Sequence, residues 1–200
     1  MPRQKKKILY IDGENLKFYI KSVLASKSIQ KPYLLETIDY ARLFSFALKD
    51  FDLSEKRFYS ARLREQEGFL TKSRELIQKQ RALKSRLEQQ GFIFIISGNV
   101  RKQTVSLNGK KKIIFKEKGV DVRIAVDLVT ESCDGKVDTV ILCSSDSDLQ
   151  PAVSEVKKRG VEVVYLGFEI FHNKGLSYTS SRTILLRNSE VLESYNQNSE

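Results

Sequence analysis

Two acidic segments of the sequence each follow a short apolar run that is typical of a buried strand. Residues 12–15 read Asp-Gly-Glu-Asn, and residues 144–148 read Ser-Ser-Asp-Ser-Asp. If the two runs form neighbouring parallel strands, their carboxyl ends meet at one edge of the sheet, where ligands of such sheets bind. We therefore expect Asp12 and Asp146 to approach each other at that edge.

A third acid, Asp121, stands at the predicted start of a helix that leads into the second of these strands. Its side chain can point to the same edge of the sheet. Three or more converging carboxylates repel one another unless a cation joins them, and all-oxygen ligands suit Mg²⁺ or Mn²⁺. The candidate ligands of such an ion are Asp12, Asp121, Asp146 and Asp148.

Several of these residues also have a purely structural interpretation. Asp12-Gly13 is a common turn dipeptide, and Asn15 could cap a helix that starts near Leu16. Asp121 could stabilise the start of its helix by opposing the helix dipole.

The same is true of the second segment. Asp148 is a credible N-cap, because Pro151 fits the first turn of a helix that begins there. Asp146 has no such capping role in the sequence pattern and is the stronger ligand candidate. Asp127 lies at i+4 from Arg123 and is interpreted as an ion-pair partner.

The rest of the chain alternates between strand-length apolar runs and stretches of helical period. The alternation predicts a parallel sheet covered on both faces, a three-layer α/β/α sandwich. Gly91 and Gly160 stand where helices commonly end. The predicted strands are residues 7–11, 57–61, 92–96, 139–143 and 161–166, and the predicted helices are 37–48, 67–90, 120–131 and 149–158.

A basic β-hairpin, at about residues 99–117, interrupts the alternation. Asn108-Gly109 favours a type I′ turn between its two arms. The expected role is to follow the backbone of a single strand of nucleic acid by charge, and the alternative is a solvated edge hairpin. Its basic residues are Arg101, Lys102, Lys110, Lys111, Lys112, Lys116 and Lys118.

The composition fits one globular domain and a polyanionic partner. The 200 residues include 35 Lys and Arg against 25 Asp and Glu, a net charge of +10, which favours nucleic acid. Two cysteines and one histidine make a disulfide framework or a zinc site a poor match. We expect a soluble, cytoplasmic protein with one domain over residues 1–193 and a frayed polar tail over 194–200.

Three motifs, in order, resemble the NYN domain family, the LabA-like branch of the PIN-like nuclease superfamily. They are residues 10–16 (Tyr-Ile-Asp-Gly-Glu-Asn-Leu), 118–122 (Lys-Gly-Val-Asp-Val) and 143–149 (Cys-Ser-Ser-Asp-Ser-Asp-Leu), and a closing strand at 160–167 also fits. The resemblance implies a PIN-like sandwich and, in many members, a metal-dependent ribonuclease. Its functional residues carry over to Asp12, Asn15, Asp121, Asp146 and Asp148.

Two features depart from the family pattern. Ser145 stands where the family often has glycine. PIN nucleases also tend to carry a further acid on an early helix, for which Glu36 and Asp39 are the nearest candidates.

The preferred hypothesis is a Mg²⁺- or Mn²⁺-dependent ribonuclease acting on single-stranded RNA. Asn15 would orient Asp12 or a metal-bound water, and Ser144, Ser145 and Ser147 would donate hydrogen bonds to a phosphate oxygen. The alternatives are a non-catalytic RNA-binding module and a topoisomerase-primase-like enzyme centred on Glu14. No membrane partner is expected, and a homodimer is one option for assembly.

Overall fold

A seven-stranded sheet forms the centre of the molecule, in a computed structural model that describes residues 6–27, 29, 35–107 and 110–195. For residues 102, 104–107 and 110–114 only the backbone is described. The strand order is β4-β3-β2-β1-β5-β6-β7, and every neighbouring pair is parallel except β3 and β4. The strands are β1 (Lys6–Asp12), β2 (Glu55–Arg62), β3 (Ile93–Leu107), β4 (Lys110–Lys118), β5 (Val137–Cys143), β6 (Glu162–Phe168) and β7 (Arg182–Leu186).

Seven α-helices cover the two faces of the sheet in the described part of the chain. Residues from α1, α2, α3 and α7 share one buried cluster, and residues from α4, α5 and α6 share the other. The predicted α/β/α sandwich with a mainly parallel sheet is confirmed. The helices are α1 (Gly13–Ser26), α2 (Tyr40–Ala47), α3 (Leu70–Gln89), α4 (Val120–Cys133), α5 (Gln150–Lys158), α6 (Lys174–Thr179) and α7 (Asn188–Ser194).

The predicted hairpin is present, but it is continuous with the sheet. β3 runs on from the predicted strand 92–96 into the first arm of the hairpin, and β4 pairs with it antiparallel from Asn99↔Lys118 to Leu107↔Lys110. Gly98 permits this continuation, because its φ is +67° and a Cβ there would lie 2.3 Å from the carbonyl oxygen of Lys118. The predicted turn at 108–109 lies outside the described residues.

The end of the chain is ordered further than the composition indicates. Ser194 is the last residue of α7 and is buried, and Tyr195 pairs with Ile38. The predicted polar tail therefore does not begin at Ser194, and residues 196–200 lie outside the described part. No described helix has both the length and the apolar composition of a membrane span.

The junction between β1 and α1 depends on Gly13. A Cβ at this position would lie 2.4 Å from the ring of Phe58 and 2.4 Å from the carbonyl oxygen of Tyr59. We expect Gly13→Ala to lower the free energy of unfolding by about 3 kcal/mol, because backbone atoms cannot move aside. Thermal unfolding measures this. Gly135→Ala is the control, since its Cβ would meet nothing within 4 Å and only its positive φ costs stability, about 1 kcal/mol.

Candidate metal centre

The carboxyl ends of β1 and β5 lie side by side, as the sequence predicts. The two strands pair in parallel up to Ile11↔Cys143. The acidic segments at 12–15 and 144–148 therefore begin at the same edge of the sheet. α4 approaches this edge with its first turn, which carries Asp121.

Three of the four predicted ligands come together at this edge. Carboxylate oxygens of Asp121, Asp146 and Asp148 lie within 4.8 Å of one another. Asp121 and Asp146 are half-buried, and Asp148 is exposed. Among the residues that the structure describes, none of the three forms an ion pair with a lysine or arginine. A divalent cation with oxygen ligands fits this donor set, because it would neutralise charges that otherwise repel one another.

The residue that caps the turn after β5 differs from the predicted one. The side chain of Asp146 accepts a hydrogen bond from the backbone N–H of Asp148 at 2.9 Å and caps a 3₁₀ turn, Ser147–Leu149. α5 starts only at Gln150, and no side chain caps it. The prediction that Asp146 has no capping role, with Asp148 as the N-cap, was therefore wrong.

Asp12 lies outside the three-carboxylate group, and its hydrogen bonds join the start of α1 to Ser144. Its Oδ1 accepts hydrogen bonds from the backbone N–H groups of Glu14 and Asn15 at 3.1 Å each. Its Oδ2 accepts from Nδ2 of Asn15 at 2.5 Å and from the Ser144 hydroxyl at 3.3 Å. Asp12 thus caps α1, which corrects both the turn interpretation of Asp12-Gly13 and the cap proposed at Asn15.

Burial raises the pKa of Asp12 even though hydrogen bonds from Asn15 and Ser144 lower it. Asp12 as a residue is 4 % exposed, so loss of hydration of its carboxylate is the larger effect. A positive charge nearby would counter this loss. Asp12 remains a predicted ligand, and its contacts identify it as the residue that positions its neighbours.

Asn15 joins the two acidic segments. Its side-chain nitrogen donates to Asp12, and its Oδ1 accepts a hydrogen bond from the hydroxyl of Ser145. Both ends of the amide are therefore used within the site. The arrangement fits the predicted orienting role of Asn15 toward Asp12.

The three serines differ in what they can offer a phosphate. Ser144 is fully buried; its hydroxyl donates to Asp12 and accepts from the backbone N–H of Asp146 at 3.1 Å. It has no exposed hydroxyl for the predicted phosphate contact. Ser147 is exposed beside the carboxylates, and the phosphate role of Ser145 and Ser147 stays a prediction.

A further acid, Glu117 on β4, is one that the motifs do not indicate. Its side chain is near Asp12 and Glu14, and its Oε2 is buried without a partner among the described residues. The sequence signal that could indicate Glu117 is the alternation of side chains along β4. This alternation places Glu117 on the same face as Phe115 and on the opposite face from Lys116 and Lys118.

Burial, followed by repulsion from Glu14 and Asp12, raises the pKa of Glu117 to about 8. The folded protein thus holds a proton that the unfolded chain releases near pH 4.5, so stability should fall as pH rises from about 4.5 to 8. We expect Glu117→Gln to make the fall in the free energy of unfolding smaller by about 1–2 kcal/mol. This figure allows for solvent screening of a partly exposed side chain. Thermal unfolding from pH 5 to 9 in EDTA measures it. Glu155→Gln is the control, because Glu155 is partly exposed and pairs with Arg159 on α5, and it should follow the wild-type curve. A Glu117→Gln curve parallel to that of the wild type would contradict the assignment.

The remaining predicted residues lie apart from the carboxylate group. Asp39 caps α2 by accepting from the backbone N–H of Arg42, and Glu36 belongs to a 3₁₀ turn, Leu35–Thr37. Asp127 pairs with Arg123 at 2.8 Å, which confirms the predicted ion pair. In the hairpin, Arg101, Lys116 and Lys118 are exposed. The side chains of Lys102, Lys110, Lys111 and Lys112 lie outside the described residues.

An open groove of about 590 Å³ runs from the carboxylates along α4. Asp121 and Asp148 line one part of it, and Val122, Val126 and Val129 line another. Val122 and Val126 are more than half exposed. The carboxylates are thus accessible to a ligand much larger than an ion.

The mainly parallel sheet with acids gathered at its carboxyl edge defines a PIN-like α/β/α sandwich. The NYN domain model matches residues 6–185, so the chain belongs to the NYN domain family, which is generally nuclease-like. Among solved structures, a protein of unknown function from Vibrio parahaemolyticus is similar at 19 % identity and a TM-score of 0.59, over 93 % of this chain and 96 % of that one. This similarity supports the fold alone. No curated protein matches the chain.

Proposed function

We propose that the protein is a Mg²⁺- or Mn²⁺-dependent ribonuclease that hydrolyses phosphodiester bonds in single-stranded RNA. The observation that carries the proposal is the group of carboxylate oxygens from Asp121, Asp146 and Asp148 within 4.8 Å. Membership of a nuclease-like family and the net charge of +10 support it.

The proposed chemistry divides between an ion and the residues around it. Asp121, Asp146 and Asp148 would hold the ion. When bound, a divalent cation activates water as a nucleophile and stabilises charge on the phosphate. Asp12 and Asn15 keep the two acidic segments in place, since each bonds to the other and to the 144–145 turn.

The surroundings of the site suit a phosphodiester substrate. The exposed hydroxyl of Ser147 would donate a hydrogen bond to a phosphate oxygen. Arg101, Lys116 and Lys118 would attract the RNA backbone, and affinity should fall as salt rises. The predicted hairpin lysines Lys102, Lys110, Lys111 and Lys112 would extend this basic surface.

Cleavage of an end-labelled single-stranded RNA tests the proposal. We expect cleavage with Mg²⁺ or Mn²⁺, none with EDTA, and recovery when the metal is returned. Binding is measured separately in EDTA by fluorescence anisotropy. Binding without cleavage in either metal would overturn the nuclease and favour the non-catalytic module.

A further inference from the structure

Phe18 is an exposed aromatic residue on α1, the helix that begins at the carboxyl end of β1. Its side chain is 62 % exposed, although it lies on the first half of α1. A single exposed apolar side chain is common on protein surfaces, and it is the neighbours of Phe18 that distinguish it. Ile170, 45 % exposed, belongs to the loop that packs beside it.

The ring of Phe18 is supported from beneath. It lies 5.0 Å from the ring of Phe171, which in turn meets the edge of the Tyr19 ring at 6.5 Å. Tyr19 is fully buried and stacks on Phe168 at 4.7 Å. This packing leaves part of the Phe18 ring open to solvent, where another flat ring can cover it.

Hydrogen bonds join the two segments around Phe18, which are α1 and the loop after β6, to the residue that precedes Asp146. Phe18 lies one helical turn beyond Asn15, on the same side of α1, and Asn15 accepts from the Ser145 hydroxyl. The loop that carries Phe171 is joined to the same turn, because Nδ2 of Asn173 donates to the carbonyl oxygen of Ser145 at 2.9 Å. Ser145 directly precedes Asp146.

One lysine without an ion-pair partner among the described residues lies beside the ring. Lys21 is one helical turn beyond Phe18 on α1. Lys17 pairs with Glu14, and Lys79 of α3 pairs with Glu75 at 2.6 Å. A cation beside an exposed aromatic ring is a combination found on surfaces that bind single-stranded nucleic acid.

We propose that Phe18 stacks against a base of a single-stranded RNA whose neighbouring phosphate lies at Asp121, Asp146 and Asp148. This inference rests on the proposed function and adds a residue that binds a base of the single strand beside the cleaved bond. A duplex keeps its bases stacked inside, so it cannot offer one to the ring. Lys21 would bind a flanking phosphate.

A tryptophan in place of Phe18 gives a direct probe, because the chain contains no other tryptophan. We expect the emission of Phe18→Trp to be quenched by a single-stranded RNA of about ten nucleotides in EDTA. The same strand in a duplex should leave the emission unchanged, and so should inorganic polyphosphate. These two controls separate stacking from binding by charge.

Phe18→Ala provides the functional measurement. We expect it to weaken single-strand binding and to raise KM about 5- to 100-fold, with kcat within about twofold of the wild type. Phe46→Ala is the matched control. The Phe46 ring lies 5.6 Å from the guanidinium of Arg42, near the end of α2. That end of α2 leads to the start of β2, and so it is away from the carboxyl edge of the sheet.

Each outcome separates this inference from the proposed function. Unchanged binding by Phe18→Ala, or emission of Phe18→Trp that saturating RNA does not move, would overturn the stacking while cleavage stands. Emission that changes with protein concentration alone would assign the ring to a contact between copies. A wild type that neither binds nor cleaves RNA would overturn both.

Discussion

Replacing Asp146 with asparagine is expected to lower metal-dependent RNA cleavage by about 100- to 1000-fold. Asparagine has nearly the same shape and can still accept the hydrogen bond from the N–H of Asp148, so the 3₁₀ turn should survive. The substitution removes one of three negative charges that would hold the cation. Loss of several kcal/mol of charge stabilisation corresponds to this range of rates.

Initial rates over a Mn²⁺ titration measure the effect of Asp146→Asn. Saturating Mn²⁺ should also raise the Tm of the wild type more than that of the variant, because ligand binding stabilises the folded state. Asp134→Asn is the matched control, since Asp134 is exposed and pairs with Lys136 at 2.6 Å outside the site. A variant that retains wild-type rates at every Mn²⁺ concentration would exclude Asp146 as a ligand.

Asp12→Asn is expected to lower cleavage about 100-fold by a different route. The new amide can keep the cap of α1. Its NH₂ group, however, would replace the Asp12 carboxylate oxygen that lies 2.5 Å from Nδ2 of Asn15 in the wild type. Two donors cannot bond to each other. Rotation of the Asn15 amide would turn its NH₂ group toward the backbone N–H of Ser145, which donates to Oδ1 at 3.4 Å, so the link between the two acidic segments should weaken.

The stability of Asp12→Asn should change much less than its activity. The unpaired donors lower the free energy of unfolding by about 1–3 kcal/mol. Burial raises the pKa of the Asp12 carboxyl group, so removing its charge raises the free energy of unfolding and offsets part of that loss. We therefore expect the free energy of unfolding to change by less than about 2 kcal/mol. Chemical denaturation measures the free energy of unfolding, and the cleavage assay measures the activity of the same preparation.

Glu14→Gln is the matched comparison for Asp12→Asn. Glu14 is about half exposed, pairs with Lys17 and lies outside the three-carboxylate group. A PIN-like site predicts nearly normal cleavage by Glu14→Gln. A larger loss from Glu14→Gln than from Asp12→Asn would favour the topoisomerase-primase-like alternative.

The edge that carries the site was predictable because two simple patterns coincide there. Apolar runs ended at acidic segments, and parallel strands place their carboxyl ends together. The pairing of β1 with β5 then brings Asp146 and Asp148 to the edge that α4 reaches with Asp121. Gly91 and Gly160 also end their helices as predicted, with φ of 78° and 75°.

The capping roles were not predictable at the level of single residues. Pro151 correctly indicates a helix start, but a 3₁₀ turn, Ser147–Leu149, precedes α5 and moves the cap back to Asp146. Cap and ligand roles use the same residue types, so sequence spacing does not separate them. Only the direction of the backbone does.

Contacts between distant segments account for the other omissions. Glu117 reaches Asp12 and Glu14 through the pairing of β3 with β4, and Phe18 meets Phe171 through the packing of α1 against the loop after β6. β7 escaped prediction because four of its five residues are at least partly exposed. Each of these features depends on tertiary structure that local periodicity does not encode.

Anomalous scattering from a crystal soaked in Mn²⁺ would locate the ion itself. We expect an anomalous peak within coordination distance, about 2.0–2.6 Å, of carboxylate oxygens of Asp121, Asp146 and Asp148. The peak should be lost in Asp146→Asn. The absence of a peak at these three residues, or a peak bound by Glu14 instead, would exclude the three-carboxylate metal site.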